Sequence, residues 1–73
     1  MQFHLISKPS CQMCDKAKTL LTTKGHTYTE ECLDTEAKRE AYRVSNPTVR
    51  ALPQVYQDGV RIGGYAALLK VVA

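Results

Sequence analysis

An α/β fold in the order β-α-β-α-β-β-α is predicted by three features of this 73-residue sequence. Two short strand patterns each lead into a stretch with helical periodicity. An Asp-Gly pair between alternating residues marks a late hairpin, and the last residues carry one more helical stripe.

The first strand runs from Gln2 to Ser7, apolar at Phe3, Leu5 and Ile6, and Lys8-Pro9-Ser10 stops it. Pro9 cannot donate to a ladder, so pairing ends before it. From Cys11 to about Lys24, Met13, Ala17, Leu20 and Leu21 recur at helical spacing and leave Lys16, Lys18 and Lys24 for solvent. Gly25 supplies the C-terminal stop. Thr27 to Leu33 has the β-branched and aromatic composition of a strand, with Tyr28 and two threonines. A right-handed crossover then makes the first two strands parallel neighbours.

Asp34 is the expected N-cap of a second helix reaching about Val44, with Glu36 in its first turn and Ala37, Ala41 and Val44 turned inward. Ser45-Asn46-Pro47 breaks it. Gln54 to Gln57 and Val60-Arg61-Ile62 flank the Asp58-Gly59 turn as an antiparallel hairpin. Gly63-Gly64 closes the hairpin. Tyr65, Leu68, Leu69 and Val72 then fall at i, i+3, i+4 and i+7, the stripe of a short terminal helix.

Length and composition set bounds. The chain is predicted to be a single domain, near the lower size at which an apolar core holds a fold without staples. Its lysines and arginines give a net charge of +3 but are scattered from Lys8 to Lys70, which speaks for a mixed solvated surface and against a nucleic-acid footprint. No apolar run is long enough to cross a bilayer, and a strand pattern follows Met1 at once, so a soluble monomer of the cytoplasm is expected, with no membrane partner. Three cysteines with one close pair fit a reducing compartment and a reactive dithiol better than a secreted disulfide framework.

That close pair is Cys11-Gln12-Met13-Cys14. Two thiols separated by two residues can close a disulfide across the first turn of a helix, and a C-x-x-C near a β-α-β pattern is a known redox signature. At a helix start, unpaired amides and the positive end of the dipole stabilise a thiolate. Cys11, the N-terminal member, is the expected nucleophile, and Cys14, one turn along, can reach back to resolve a mixed disulfide. Cys32 is expected to pack as a small apolar side chain. His4 and His26 stand alone, in strand or surface roles rather than as ligands.

Three landmarks in order, Ser7-Lys8-Pro9-Ser10-Cys11-Gln12-Met13-Cys14, Leu52-Pro53-Gln54-Val55 and Gly59 to Tyr65, make the chain resemble the glutaredoxins over nearly its whole length. The resemblance implies the smallest form of the thioredoxin fold, a four-stranded mixed sheet flanked by three helices. It implies glutathione as co-substrate, with no tightly bound cofactor and no metal. It also places the glutathione contacts at Lys8, Met13, Arg50, Leu52, Pro53, Gly64 and Tyr65, in addition to the catalytic pair Cys11 and Cys14.

Each contact has its own chemistry. Lys8 can add positive charge near the thiolate, hold a carboxylate of glutathione, or stay a solvated lysine. Arg50 can meet the glycyl carboxylate or an acidic tail of a partner protein. The sequence alone favours a trans Leu52–Pro53 bond, whereas the resemblance implies a cis bond that turns the Leu52 backbone toward a bound peptide. Amides after Gly64 can receive the γ-glutamyl carboxylate. Two departures stand out: Gln12-Met13 replaces the proline and tyrosine common between the cysteines, and Tyr65-Ala66-Ala67 lacks the acid that often follows the glycine pair.

The function expected is a dithiol glutaredoxin that reduces protein disulfides and glutathione mixed disulfides, with ribonucleotide reductase as a client. The alternative is a glutaredoxin-like redoxin reduced by thioredoxin reductase, which the missing acid favours and the glycine pair opposes. Further off stand a zinc module, for which a second ligand pair is wanting, and an iron–sulfur carrier in which two chains each lend Cys11 to a cluster with two glutathiones.

Overall fold

The computed structural model describes residues 1–73. Its elements are β1 (Phe3–Ser7), α1 (Gln12–Thr23), β2 (Tyr28–Cys32), α2 (Glu36–Ser45), β3 (Gln54–Gln57), β4 (Val60–Gly63) and α3 (Tyr65–Val72). The four strands form one mixed sheet in the order β2-β1-β3-β4. β1 runs parallel to β2, pairing Phe3 with Tyr28 and Ser7 with Cys32, and antiparallel to β3, pairing Leu5 with Val55. This is the predicted thioredoxin-like arrangement.

Strand alternation decides what lies on each face of the sheet. Phe3, Leu5 and Val55 point to one side and form the core with Ala17 and Leu21 of α1 and Leu68 and Val72 of α3. His4 and Tyr56 lie on the other side, where the Tyr56 hydroxyl meets that of Tyr42 on α2 at 2.9 Å. No helix is long and apolar enough to cross a membrane.

The chain turns where its residues demand. α1 ends in a Schellman motif: Gly25 has φ of 79°, its amide donates to the Thr22 carbonyl, and the His26 amide donates to that of Leu21 at 2.9 Å. This places the His26 ring edge-on to Phe3, with centroids 5.2 Å apart. In the hairpin, Gln57 pairs with Val60 across Asp58 and Gly59, both at positive φ, as a two-residue turn of this hand requires. The Gln2 amide donates to the Asp58 carboxylate at 2.8 Å and ties the hairpin to the chain start.

Several expectations are corrected. The N-cap of α2 is Thr35, whose hydroxyl accepts the Lys38 amide at 3.1 Å; Asp34 stands one residue outside and pairs with the Lys38 ammonium at 2.9 Å instead. Ala37, Ala41 and Val44 do not face inward, and Val44 is 72% exposed. The inner face is Arg39, Tyr42 and the C-cap Asn46, because this helix is anchored by hydrogen bonds rather than by an apolar stripe. Met13 is 41% exposed, and the buried stripe of α1 is Cys14, Ala17 and Leu21. In α3, Leu69 likewise turns outward while Leu68 and Val72 are buried. Cys32 is exposed rather than packed, since β2 is an edge strand with no buried residue.

Candidate active site

The site is built at the end of β1. Ser10, at φ of 56°, swings the chain out of the strand, and Cys11 becomes the N-cap of α1 with an extended backbone. The Cys14 amide donates to the Cys11 sulfur at 3.2 Å. A cysteine thus occupies the place that a serine or aspartate takes at most helix starts, and its sulfur receives one of the orphan amides of the first turn. Cys11 and Cys14 are joined as a disulfide with their Cα atoms 5.2 Å apart. Cys11 is 8% exposed and Cys14 1%, so an incoming group meets Cys11 first.

Beside this pair runs the loop before β3. The Leu52–Pro53 bond is cis, contrary to the expectation from sequence alone and in keeping with the resemblance. The Leu52 carbonyl oxygen lies 3.9 Å from the Cys11 sulfur. The loop is held from two sides: the Gln54 side-chain amide donates to the Ala51 carbonyl at 2.8 Å, and Arg61 of β4 donates to the Thr48 hydroxyl at 3.0 Å. Gly64 closes in from below, where a Cβ would come 3.3 Å from the Pro53 carbonyl oxygen. The close approach of these two backbones leaves a side chain at this position little room.

A groove of about 100 Å³ opens along the loop, lined by Lys8, Arg50 and Leu52 together with Arg39, Tyr42 and Arg43 of α2. No carboxylate lines it. Arg39 is fixed by donating to the Leu33 carbonyl at 2.9 Å and to Glu36 at 3.4 Å, and Arg43 is paired with Glu40 at 2.6 Å. Lys8 and Arg50 make no ion pair or side-chain hydrogen bond.

Of the seven contacts implied by resemblance, Lys8, Arg50 and Leu52 therefore meet in one groove, and Pro53 and Gly64 pack together beside it. Met13 is exposed on the first turn of α1. Tyr65 follows Gly64 as the first residue of α3 and also lines an open groove with Asp15, Lys16 and Thr19. Arg39 and Arg43 escaped the sequence reading, although their four-residue spacing puts them one turn apart on a helix. Correct phasing of α2 would have found them.

Below the dithiol, a polar clasp fixes α1 to the sheet. The buried Ser7 hydroxyl donates to the Glu30 carboxylate at 2.5 Å, and Lys18 of α1 pairs with the same carboxylate at 3.0 Å. These two donors, the hydroxyl first, hold the Glu30 carboxyl below its ordinary range. Glu30 in turn raises Lys18.

Comparison with known proteins agrees with this geometry. Residues 4–62 match the family model for glutaredoxin. Glutaredoxin 3 of Escherichia coli K12 is 30% identical over 60 residues, which cover 82% of this chain and 72% of that protein. Glutaredoxin 1 from Francisella tularensis, solved with cacodylate, superposes with a TM-score of 0.83 at 20% identity, covering 94% of this chain and 88% of the other, and shares the fold. A buckwheat glutaredoxin–glutathione complex superposes with a TM-score of 0.77 at 26% identity over 93% of this chain and 64% of its own. The chain belongs to the glutaredoxin family and is a thiol–disulfide oxidoreductase, with Cys11 and Cys14 as its disulfide pair.

Proposed function

We propose that this protein is a dithiol glutaredoxin that draws its electrons from glutathione and passes them to protein disulfides in the cytoplasm. One observation carries the reading: the Cys11 sulfur, supported by the Cys14 amide, lies 3.9 Å from the carbonyl oxygen of Leu52, and Leu52 lines a groove holding two unpaired cations, Lys8 and Arg50. Glutathione carries two carboxylates and one ammonium, and cations of this kind are suited to its glycyl carboxylate.

In the reductive half, the Cys11 thiolate attacks one sulfur of a client disulfide, and the departing client thiolate takes a proton from solvent. Cys14, a turn along the helix, then loses its proton and attacks the Cys11 sulfur. This frees the second client thiol and closes Cys11–Cys14. In the return half, a glutathione thiolate opens that disulfide at Cys11, and a second glutathione attacks the glutathione sulfur of the mixed disulfide. Two glutathiones leave as one oxidised molecule, and two electrons with two protons have reached the client. Ribonucleotide reductase, which closes a disulfide in each turnover, fits as a client class.

The test is a coupled assay with oxidised protein, reduced glutathione, glutathione reductase and a small disulfide. NADPH should be consumed in proportion to added protein. Turnover only when thioredoxin reductase replaces the glutathione system would reassign the chain as a glutaredoxin-like redoxin.

A further inference from the structure

Arg61 of β4 makes no ion pair, and both of its side-chain bonds go to neutral acceptors. It donates to the Thr48 hydroxyl at 3.0 Å and to the Gln54 carboxamide oxygen at 3.4 Å. The register explains this reach. Arg61 stands opposite Tyr56, so it shares a sheet face with Gln54, two residues earlier on β3. One extra residue, Ile62, separates that pair from Val55 and Gly63, a bulge of the kind that re-aims a side chain beside a site.

Gln54 is buried, and it uses both ends of its carboxamide: the oxygen faces Arg61, and the nitrogen donates to the Ala51 carbonyl at 2.8 Å. A guanidinium can only donate, so it admits one orientation of that group. The flipped one would set donor against donor at Arg61 and oxygen against oxygen at Ala51. The Ala51 carbonyl and the Leu52 amide belong to one planar peptide unit, so fixing the first fixes the direction of the second. The Leu52 amide donates to no backbone group of the protein, and the carbonyl of the same residue lies 3.9 Å from the Cys11 sulfur.

We propose that Arg61 is a positioning residue for the exchange reaction: through Gln54 it sets the direction of the free Leu52 amide beside the group that is joined to Cys11. A peptide attached to that sulfur carries backbone carbonyls next to its own cysteine, and these can accept the amide. Arg61 itself touches neither the sulfur nor the peptide. Its contribution is orientation, delivered before any client arrives. The inference rests on thiol–disulfide exchange at Cys11 and is independent of which molecule re-reduces the protein.

The test therefore leaves the electron donor out. Protein reduced with dithiothreitol and freed of it is mixed either with a peptide closed by a single disulfide or with dithiodipyridine, a small disulfide that has no peptide group. The readout is the ratio of the two second-order rates, from which a change in the reactivity of the sulfur itself cancels. Arg61→Met keeps the apolar stem and removes the donors, and the ratio should fall about fivefold, the scale of one misdirected hydrogen bond. Gln54→Glu should lower it as much, although it strengthens the contact with Arg61, because a carboxylate cannot donate to the Ala51 carbonyl. Arg61 is exposed, so Arg61→Met is expected to fold, and circular dichroism checks both variants. A ratio that Arg61→Met leaves unchanged would overturn the proposal. So would a fall in Arg61→Met with none in Gln54→Glu, which would take Gln54 out of the path.

Discussion

At the scale of single residues, the chemistry turns on a cysteine used as a helix cap. Cys11 accepts the Cys14 amide through its sulfur, an interaction that grows stronger as the sulfur becomes negative. Cys14 is nearly sealed from solvent, while Cys11 keeps some exposure. The two thiols should therefore fail differently. Cys11→Ser is expected to abolish both protein-disulfide reduction and deglutathionylation. Cys14→Ser should lose the first and keep a substantial part of the second, because a glutathione mixed disulfide at Cys11 can be released by a second glutathione. Assaying both variants on a cyclic disulfide peptide and on a glutathionylated peptide checks this; equal loss of both activities in Cys14→Ser would reverse the assignment of roles. These residues were legible because C-x-x-C spacing is itself the geometry of one helical turn. The exposure of Cys32 is hidden in the sequence for the opposite reason: burial depends on which strand lies at the sheet edge, and a strand's own composition does not encode that.

At the scale of elements, α1 and α2 are fastened to the sheet by different means, and the sequence announced only one. α1 buries an apolar stripe of Cys14, Ala17 and Leu21, which periodicity reveals, although it placed Met13 on the wrong side. α2 has no buried residue and holds on through Arg39 to the Leu33 carbonyl and Tyr42 to Tyr56. Hydropathy patterns have no signal for a face made of polar anchors. The Tyr42 hydroxyl is pushed above its ordinary range, first by burial and then by its bond to Tyr56.

The Ser7–Glu30–Lys18 clasp between α1 and the sheet makes a testable statement about acid. Because the native Glu30 carboxyl titrates below its ordinary value of 4.5, its stabilisation is complete above that pH and drains away as pH falls through the lower native value. Glu30→Gln should cost about 1 kcal/mol at pH 7, the upper end for a part-exposed pair. Urea midpoints of the two proteins should differ at pH 7 and converge as the pH falls below the lowered native value. A gap that persists in acid would mean that the clasp acts by packing rather than by charge.

At the scale of the whole molecule, fold and site were legible to different depths. The order of elements followed from local patterns, and three landmarks spread from Ser7 to Tyr65 pointed to one family. The groove was not legible, because it is assembled from the β1 exit, the loop before β3 and α2, and only the topology brings these together. What it does to the charge map is a property of the entire chain. Five of the seven carboxylates, Asp15, Glu30, Asp34, Glu36 and Glu40, are tied up in ion pairs on helices, the β2 edge and the loop before α2. Lys8 and Arg50 remain uncompensated within a concave, partly apolar cleft, where field lines concentrate. The net charge of +3 is thus functionally uneven.

Glutathione, with net charge −1 at neutral pH, should feel that unevenness before contact. Its second-order rate of reaction with the oxidised protein is expected to fall several-fold as ionic strength rises from about 0.01 M to about 0.15 M, where screening shortens from about 30 Å to about 8 Å. Lys8→Gln with Arg50→Gln should lower the rate at low salt by about five- to tenfold and flatten its salt dependence, since the groove then lacks its two free cations. A stopped-flow series over salt with both proteins measures this directly. A rate that is slow in the double variant yet just as salt-sensitive as the wild type would locate the attraction elsewhere, with Arg39 and Arg43 as the remaining cations of the groove.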